Sequence, residues 1–179
     1  MTSLADVNPT VSIVMPTLNQ RTFIAEAVRS VFAQSGVGAL ELVVVDGGSS
    51  DGTLPELAAL AAQFAGRLRW VSAPDSGPAQ AVNRAVAMAR GGVIGWLNSD
   101  DLYTPGALER ALGVLAATPG GVMVYGEGEH VDSGGATLGR YPTRPPSTPF
   151  SAFAQGCFVC QPTAFFRREA FDALGGLDE

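Results

Sequence analysis

The chain has 179 residues, 46% of them hydrophobic and 16% charged, which suits one ordinary domain with its own core. A mean hydropathy of +0.20 excludes a disordered polyelectrolyte. The net charge of −6 has the wrong sign for non-specific nucleic-acid binding, and all 11 cations are Arg, so no Schiff-base, catalytic or P-loop lysine is available.

Met1 to Pro9 has no basic start and carries Asp6, so it does not read as a signal peptide. Val11–Met15 is a β-branched run stopped by Pro16, a first strand. Arg21 to Gln34 comes next, with Phe23, Ala27, Val28, Val31 and Phe32 at helical spacing. Leu40–Val45 is a second strand, apolar enough to be buried on both faces, and it ends in the turn-forming run Asp46 to Gly52. Leu54 to Ala65 reads as a helix, with Asp51 as its cap, and Leu68–Ser72 as a third strand. Pro78 to Arg90 is a helix with Pro at its start and Gly91-Gly92 past its end. Val93–Leu97 is a fourth strand, with Asn98-Ser99-Asp100-Asp101 directly after it. Thr104 as N-cap and Pro105 as first residue open a helix to about Ala117. Val122–Tyr125 is a fifth strand.

After Gly126 the rhythm breaks. Residues 132–150 hold Gly134-Gly135, Pro142, Pro145-Pro146 and Pro149, and read as a hairpin and an irregular loop. A short strand, Ala164–Arg167, and a helical turn, Arg168–Leu174, come last. With 22 Gly and 12 Pro, about 19% of the chain, turns are abundant. No apolar run approaches the ~20 residues that span a bilayer. A cytoplasmic location is the expectation, with peripheral attachment at the inner face of a membrane left open.

Regular alternation of strand and helix, with near-continuous apolar strands, predicts an α/β fold: a mostly parallel sheet with helices on both faces. Ligands bind such sheets beyond the carboxyl ends of the strands. Those ends carry Thr17 and Asn19, Asp46, Asp75, and Asp100-Asp101. Two adjacent carboxylates suit Mg²⁺ or Mn²⁺, which take one or two carboxylates together with phosphate oxygens. The plainer reading of the pair is a cap at the start of the next helix. Three more polar strand ends favour metal plus nucleotide.

Three segments carry a resemblance. They are Ser12-Ile13-Val14-Met15-Pro16-Thr17-Leu18-Asn19, Leu42 to Thr53 around Asp46-Gly47-Gly48-Ser49, and Trp96 to Leu108 around Asn98-Ser99-Asp100-Asp101. With Gln161 to Arg168 and Gly175-Gly176-Leu177-Asp178-Glu179, they resemble family 2 glycosyltransferases of the GT-A fold, a Rossmann-like sandwich. The resemblance implies one domain over 1–179, with a nucleotide-binding half, 1–126, and the start of an acceptor-side half, 127–179. It implies metal-dependent, inverting transfer of a sugar from a UDP-, GDP- or dTDP-sugar to a sugar or lipid-linked acceptor, as in polysaccharide or glycoconjugate synthesis. By position, Pro16, Thr17 and Asn19 would line the nucleotide pocket, Asp46 would face the base or ribose, and Asn83 and Arg84 would sit near the nucleotide. Asp100 and Asp101 match the DXD-type motif, with Asp101 as direct metal ligand and Asp100 beside it.

Two departures stand out. The second motif is frequently Asp-Asp-Gly-Ser; Gly47 replaces its second acid here. The base of inverting members lies in an acidic pair after the Gly-Gly-Leu-Asp-Glu segment, so the resemblance puts it beyond Glu179. It predicts weak or no turnover by this chain alone. Two other functions compete. A nucleotidyltransferase would carry a Gly-rich loop after the first strand, whereas Pro16 to Arg21 has no glycine. A non-catalytic nucleotide-binding fragment is the remaining reading.

Other features keep two readings each. Cys157-Phe158-Val159-Cys160 has zinc and redox spacing, or is a pair of half-buried thiols. His130, in a turn after the fifth strand, lies near an acceptor or is a surface or core histidine. Arg167-Arg168 meets phosphate or is a solvated pair. Phe150, Phe153 and Phe158 form an acceptor floor or pack a core.

Overall fold

The structure, a computed structural model, describes residues 10–179. Met1–Pro9, and the leader reading with them, lie outside the described residues. The elements are β1 (Val11–Thr17), α1 (Ile24–Phe32), β2 (Leu40–Asp46), α2 (Thr53–Gln63), β3 (Leu68–Ser72), α3 (Pro78–Met88), β4 (Val93–Trp96), α4 (Ala107–Ala117), β5 (Met123–Val124), β6 (Glu129–Val131), β7 (Thr137–Arg140), β8 (Phe165–Arg167) and α5 (Arg168–Leu174). Six strands form one sheet in the order β3-β2-β1-β4-β8-β5, and β6 pairs with β7 apart from it. Strands β3, β2, β1 and β4 are mutually parallel, and β8 runs antiparallel between β4 and β5. The expected mostly parallel α/β sheet is therefore present.

Both faces of the central strands are covered, which is why they read as continuous apolar runs. Val11, Ile13, Met15, Leu40, Leu42 and Val44 face α1, α2 and α4. Val14, Val43, Val45 and Ile94 face α3, with Phe166, Phe171 and Leu177 packed alongside. Gly95 on β4 permits the close approach of β8: a Cβ there would lie 2.7 Å from the Phe165 ring and 2.8 Å from Ile13 Cδ1. No helix among the described residues is long and apolar enough to cross a membrane.

Several expectations are corrected. Helix α4 starts at Ala107, not at Pro105 after a Thr104 cap. Gly106 adopts φ +72°, so Thr104 to Ala107 closes a turn, with the Ala107 amide donating to the Thr104 carbonyl at 3.2 Å. Helix α3 stops at Met88, because Ala89 turns extended and the Arg90 amide donates to Glu41 Oε1 at 2.6 Å. Asp51 does accept from the amide (3.0 Å) and hydroxyl (2.6 Å) of Thr53, the first residue of α2, and beyond that from the Arg21 amide at 3.0 Å, so it holds the helix start and staples two loops. His130 lies in β6, exposed, its ring 5.5 Å from Tyr141, rather than in a turn.

The two thiols differ: Cys157 is exposed and Cys160 buried. Of the three phenylalanines, Phe158 is buried, Phe150 is 91% exposed and Phe153 lies between. Arg167 and Arg168 are half-buried rather than a solvated pair, and they lie beside Val93 at the start of β4. Arg167 donates to the carbonyls of Gly121 (2.9 Å) and Leu115 (3.1 Å). Arg168 donates to those of Gly91 (3.2 Å), Val86 (2.8 Å) and Ala89. They bond carbonyls in the last turns of α4 and α3 and in the loops that follow.

Candidate functional site

Parallel pairing brings the carboxyl ends of β1, β2, β3 and β4 to one edge of the sheet, and the four polar strand ends arrive there together. In register, Thr17 lies beside Asp46 and Asp46 beside Ser72. Pro16 and Thr17 are buried as the last residues of β1. The Thr17 hydroxyl oxygen is buried without a hydrogen-bond partner, an unmet donor and acceptor at this edge. Asn19 lies just beyond at φ +55°, a conformation that asparagine tolerates better than most residues. Its amide donates to Ser49 Oγ at 2.7 Å, and its Oδ1 accepts from the Ser50 amide at 2.9 Å. The first and second loops are thereby one unit.

Asp46 has no solvent exposure. Its Oδ2 accepts from the Gly48 and Ser49 amides, each at 2.9 Å, and from Ser72 Oγ at 2.7 Å, while Ser49 Oγ donates to Oδ1. Burial by itself would raise its pKa, but these donors prefer the charged form and hold the carboxyl below its ordinary value. Gly48, at φ +95°, completes the nest of amides. The carboxylate is thus spent on shaping the loop that begins at its own strand end.

The pair after β4 is electrostatically different. Asp100 is exposed and Asp101 half-buried. Burial and the neighbouring Asp100 push the Asp101 carboxyl above its ordinary pKa, against a single opposing donor, Asn98 Nδ2 at 3.2 Å. No Arg pairs with either carboxylate among the described residues. An uncompensated acidic pair at this edge fits a divalent cation, which supplies the missing positive charge. No group of three or more His, Cys, Asp and Glu side chains gathers among the described residues. Such an ion would keep oxygen positions for water or phosphate, as Mg²⁺ and Mn²⁺ do.

A network that the sequence does not announce holds this pair. Trp96 Nε1 donates to Asn98 Oδ1 at 2.9 Å. Asn98 Nδ2 also donates to Gln161 Oε1 at 3.0 Å, and Gln161 Nε2 donates to the Trp96 carbonyl. Gln161 comes from a 3₁₀ turn 63 residues after Asn98, and no periodicity links them. Buried Tyr103 stands beside Asp101, and both burial and that carboxylate raise its pKa.

Asn83 and Arg84 part company. Asn83 Oδ1 accepts from the Leu177 amide at 2.9 Å, and its Nδ2 donates to the Leu177 carbonyl (2.9 Å) and Glu179 Oε1 (3.0 Å). Gln80 adds a bond to Glu179 Oε2 at 2.9 Å. Helix α3 thus clamps the Gly176 to Glu179 segment. Arg84 is exposed on the same helix.

The sequence model of glycosyl transferase family 2 matches residues 12–175. An uncharacterized glycosyltransferase of Rickettsia bellii is 32% identical over 145 residues, 80% of this chain and 20% of the relative. A chondroitin synthase of Pasteurella multocida is 35% identical over 130 residues, 73% of this chain and 13% of the relative. The chain spans a fifth or less of the length of these two relatives. Among solved structures, a mannosyltransferase of Pyrobaculum calidifontis in complex with GDP-Man and Mn²⁺ shares the fold with TM-score 0.71 and 24% identity, covering 97% of this chain and 49% of that one. The S. aureus protein TarS in complex with UDP-GlcNAc gives TM-score 0.74 and 20% identity over 93% of this chain and 47% of that one. A match over nearly the whole chain, on a sheet whose polar strand ends meet at one edge, carries the conclusion: this chain belongs to glycosyl transferase family 2 and has the GT-A fold.

Proposed function

We propose that this chain is the donor-binding part of a metal-dependent, inverting glycosyltransferase that moves a sugar from a nucleoside-diphosphate sugar to an acceptor hydroxyl. The observation that carries the reading is Asp101: half-buried beside Asp100, held above its ordinary pKa, and paired with no Arg among the described residues. Family membership supports the transfer of a sugar. The donors in the similar solved structures, GDP-Man and UDP-GlcNAc, support a nucleoside diphosphate.

In this reading Asp101, with Asp100, holds Mg²⁺ or Mn²⁺, and the bound ion supplies charge stabilisation to the departing diphosphate. Pro16, Thr17 and Asn19 line the nucleotide pocket, with the buried, unpartnered Thr17 hydroxyl beneath it. Asp46 serves the donor through the loop it organises, and Asn83 through the segment it clamps; Arg84 stands at the outer rim. Glu179 is occupied by Gln80 and Asn83, so we do not assign it the proton from the acceptor. Residues 1–126 then form the nucleotide-binding half and 127–179 the acceptor side, in the service of cell-surface polysaccharide or glycoconjugate synthesis.

Thermal denaturation with UDP, GDP, dTDP and their sugars, with and without Mn²⁺, tests the reading. A ligand at a hundred times its Kd adds about 2.7 kcal/mol, which raises Tm by about 5–10 °C in a domain of this size. Asp101→Ala should abolish the Mn²⁺-dependent part of that rise. A rise with no metal dependence, or none with any nucleotide, would refute the assignment.

A further inference from the structure

Of the carboxylates at the active edge of the sheet, Asp46 is buried and saturated, Asp51 staples two loops, and Asp100 and Asp101 form the acidic pair. Asp75 is left, in the loop between β3 and α3. Its Oδ1 accepts from the Gly77 amide at 3.0 Å, which fixes the side chain. Its Oδ2 has no hydrogen-bond partner, and no Arg pairs with it, among the described residues.

The carboxylate lies across Gly47. A Cβ at position 47 would stand 3.0 Å from Asp75 Oδ2 and 3.3 Å from both Cγ and Oδ1. Gly47 has no positive φ, so its backbone would accept a side chain; what occupies that space is the Asp75 carboxylate. The two loops are tied behind it, the Gly47 amide to the Thr17 carbonyl at 2.9 Å and the Ala73 amide to the Asp46 carbonyl at 3.0 Å. A negative group is therefore delivered beside Gly47 from the third strand end, with one oxygen held and one free.

We propose that Asp75 is a specificity-determining residue, its free oxygen accepting the ring N–H of the donor's base. The inference rests on the reading that this edge binds a nucleoside-diphosphate sugar. An ionised carboxylate only accepts hydrogen bonds. Uracil, thymine and guanine offer a ring N–H at the edge that pairs in duplexes. Adenine and cytosine present a ring nitrogen lone pair there, which the carboxylate repels. A charge-assisted bond lost and a repulsion gained both favour the first group, and a site built around a hydrogen bond discriminates strongly against a ligand that cannot make it.

Calorimetric titration of the 179-residue chain with UDP, GDP, CDP and ADP in Mn²⁺ tests this. UDP or GDP should bind at least about tenfold more tightly than CDP and ADP, the ratio that one charged hydrogen bond supports. Asp75→Asn should bring the four affinities within about threefold of one another, since an amide both donates and accepts. With the unaltered protein, N3-methyl-UDP should bind about tenfold more weakly than UDP wherever UDP is the preferred ligand, and 1-methyl-GDP more weakly than GDP where GDP is. This measurement needs no variant to fold. If none of the four binds the unaltered protein, the donor-site reading falls and this proposal with it. If nucleotides bind but folded Asp75→Asn keeps the original ranking, or the methylated ligand binds as well as its parent, Asp75 is not the selector and the donor-site reading survives.

Discussion

A carboxylate with 2% exposure in a sheet interior survives only among donors, and Glu41 on β2 has them. Ser12 Oγ donates at 2.6 Å and the Arg90 amide at 2.6 Å; the Arg69 and Arg90 guanidinium groups donate at 3.0 and 3.1 Å. Burial alone would raise its pKa, yet the hydroxyl, the amide and the two cations reverse this and hold it below its ordinary value. A carboxyl whose folded pKa is depressed contributes stability above its unfolded pKa and loses it as pH falls through the folded value. Urea denaturation at pH 7 and at pH 3 should therefore show lower stability at the acidic end, and Glu41→Ala should shrink that difference. The variant should also cost about 3 kcal/mol at pH 7, since it orphans the Ser12 hydroxyl and the Arg90 amide. Asn19 is the counterpart at the opposite end of the strands. Asn19→Ala removes the acceptor for the Ser50 amide and puts alanine, which tolerates the left-handed region less well than asparagine, at φ +55°, for a loss of about 1–2 kcal/mol in the same denaturation assay.

At the scale of elements, short β8 is held by its packing against β4 and by the helix that continues from it. Gly95 lets the Phe165 ring lie on β4, and Gly95→Ala forces the ring or Ile13 aside. Overpacking of this kind costs about 1–3 kcal/mol, a fall of about 2–12 °C in Tm by differential scanning calorimetry. Arg168, first residue of α5, draws its guanidinium across the end of α3 to three carbonyls. Arg168→Ala should destabilise by about 1–3 kcal/mol without altering nucleotide affinity, because its bonds lie at the other end of α3 from the nucleotide loop. A loss of nucleotide binding with no loss of stability would contradict this assignment.

For the whole molecule, the informative contact joins residues far apart in sequence. Gln161 fixes Asn98, and Asn98 fixes Asp101, so the segment after Cys160 orients the acidic pair after β4. Partners that orient a metal ligand are typically worth 10–100-fold in metal affinity. Asn98→Ala should weaken Mn²⁺ binding by about that factor, and Gln161→Ala, one bond further from Asp101, by less, read by titrating Mn²⁺ against nucleotide-induced stabilisation, while the Tm without ligand changes by only a few degrees. Equal Mn²⁺ dependence in the Gln161 variant and the parent would remove Gln161 from this role.

The order of strands and helices was legible from the sequence because each central strand is buried on both faces and each helix repeats its apolar positions at 3.6 residues. The meeting of Thr17, Asp46, Asp75 and Asp100-Asp101 at one edge came from that order alone, since parallel strands point their carboxyl ends the same way. The start of α4 was not legible: Thr104-Pro105 has the chemistry of a helix start, and only the left-handed Gly106 shows that the turn closes first. Nor was the division of labour among like residues. Asp46 and Asp75 are the same side chain at neighbouring strand ends, yet one is buried under four donors and the other keeps a free oxygen. Arg84 stays exposed while Arg167 and Arg168 are spent on backbone carbonyls. Local patterning and strand direction depend on neighbours in the chain and can be read from it. Which polar atom finds a partner depends on groups 26 to 96 residues away, such as Ser72 for Asp46, Gln161 for Asn98 and Glu179 for Asn83, and only the folded chain brings those together.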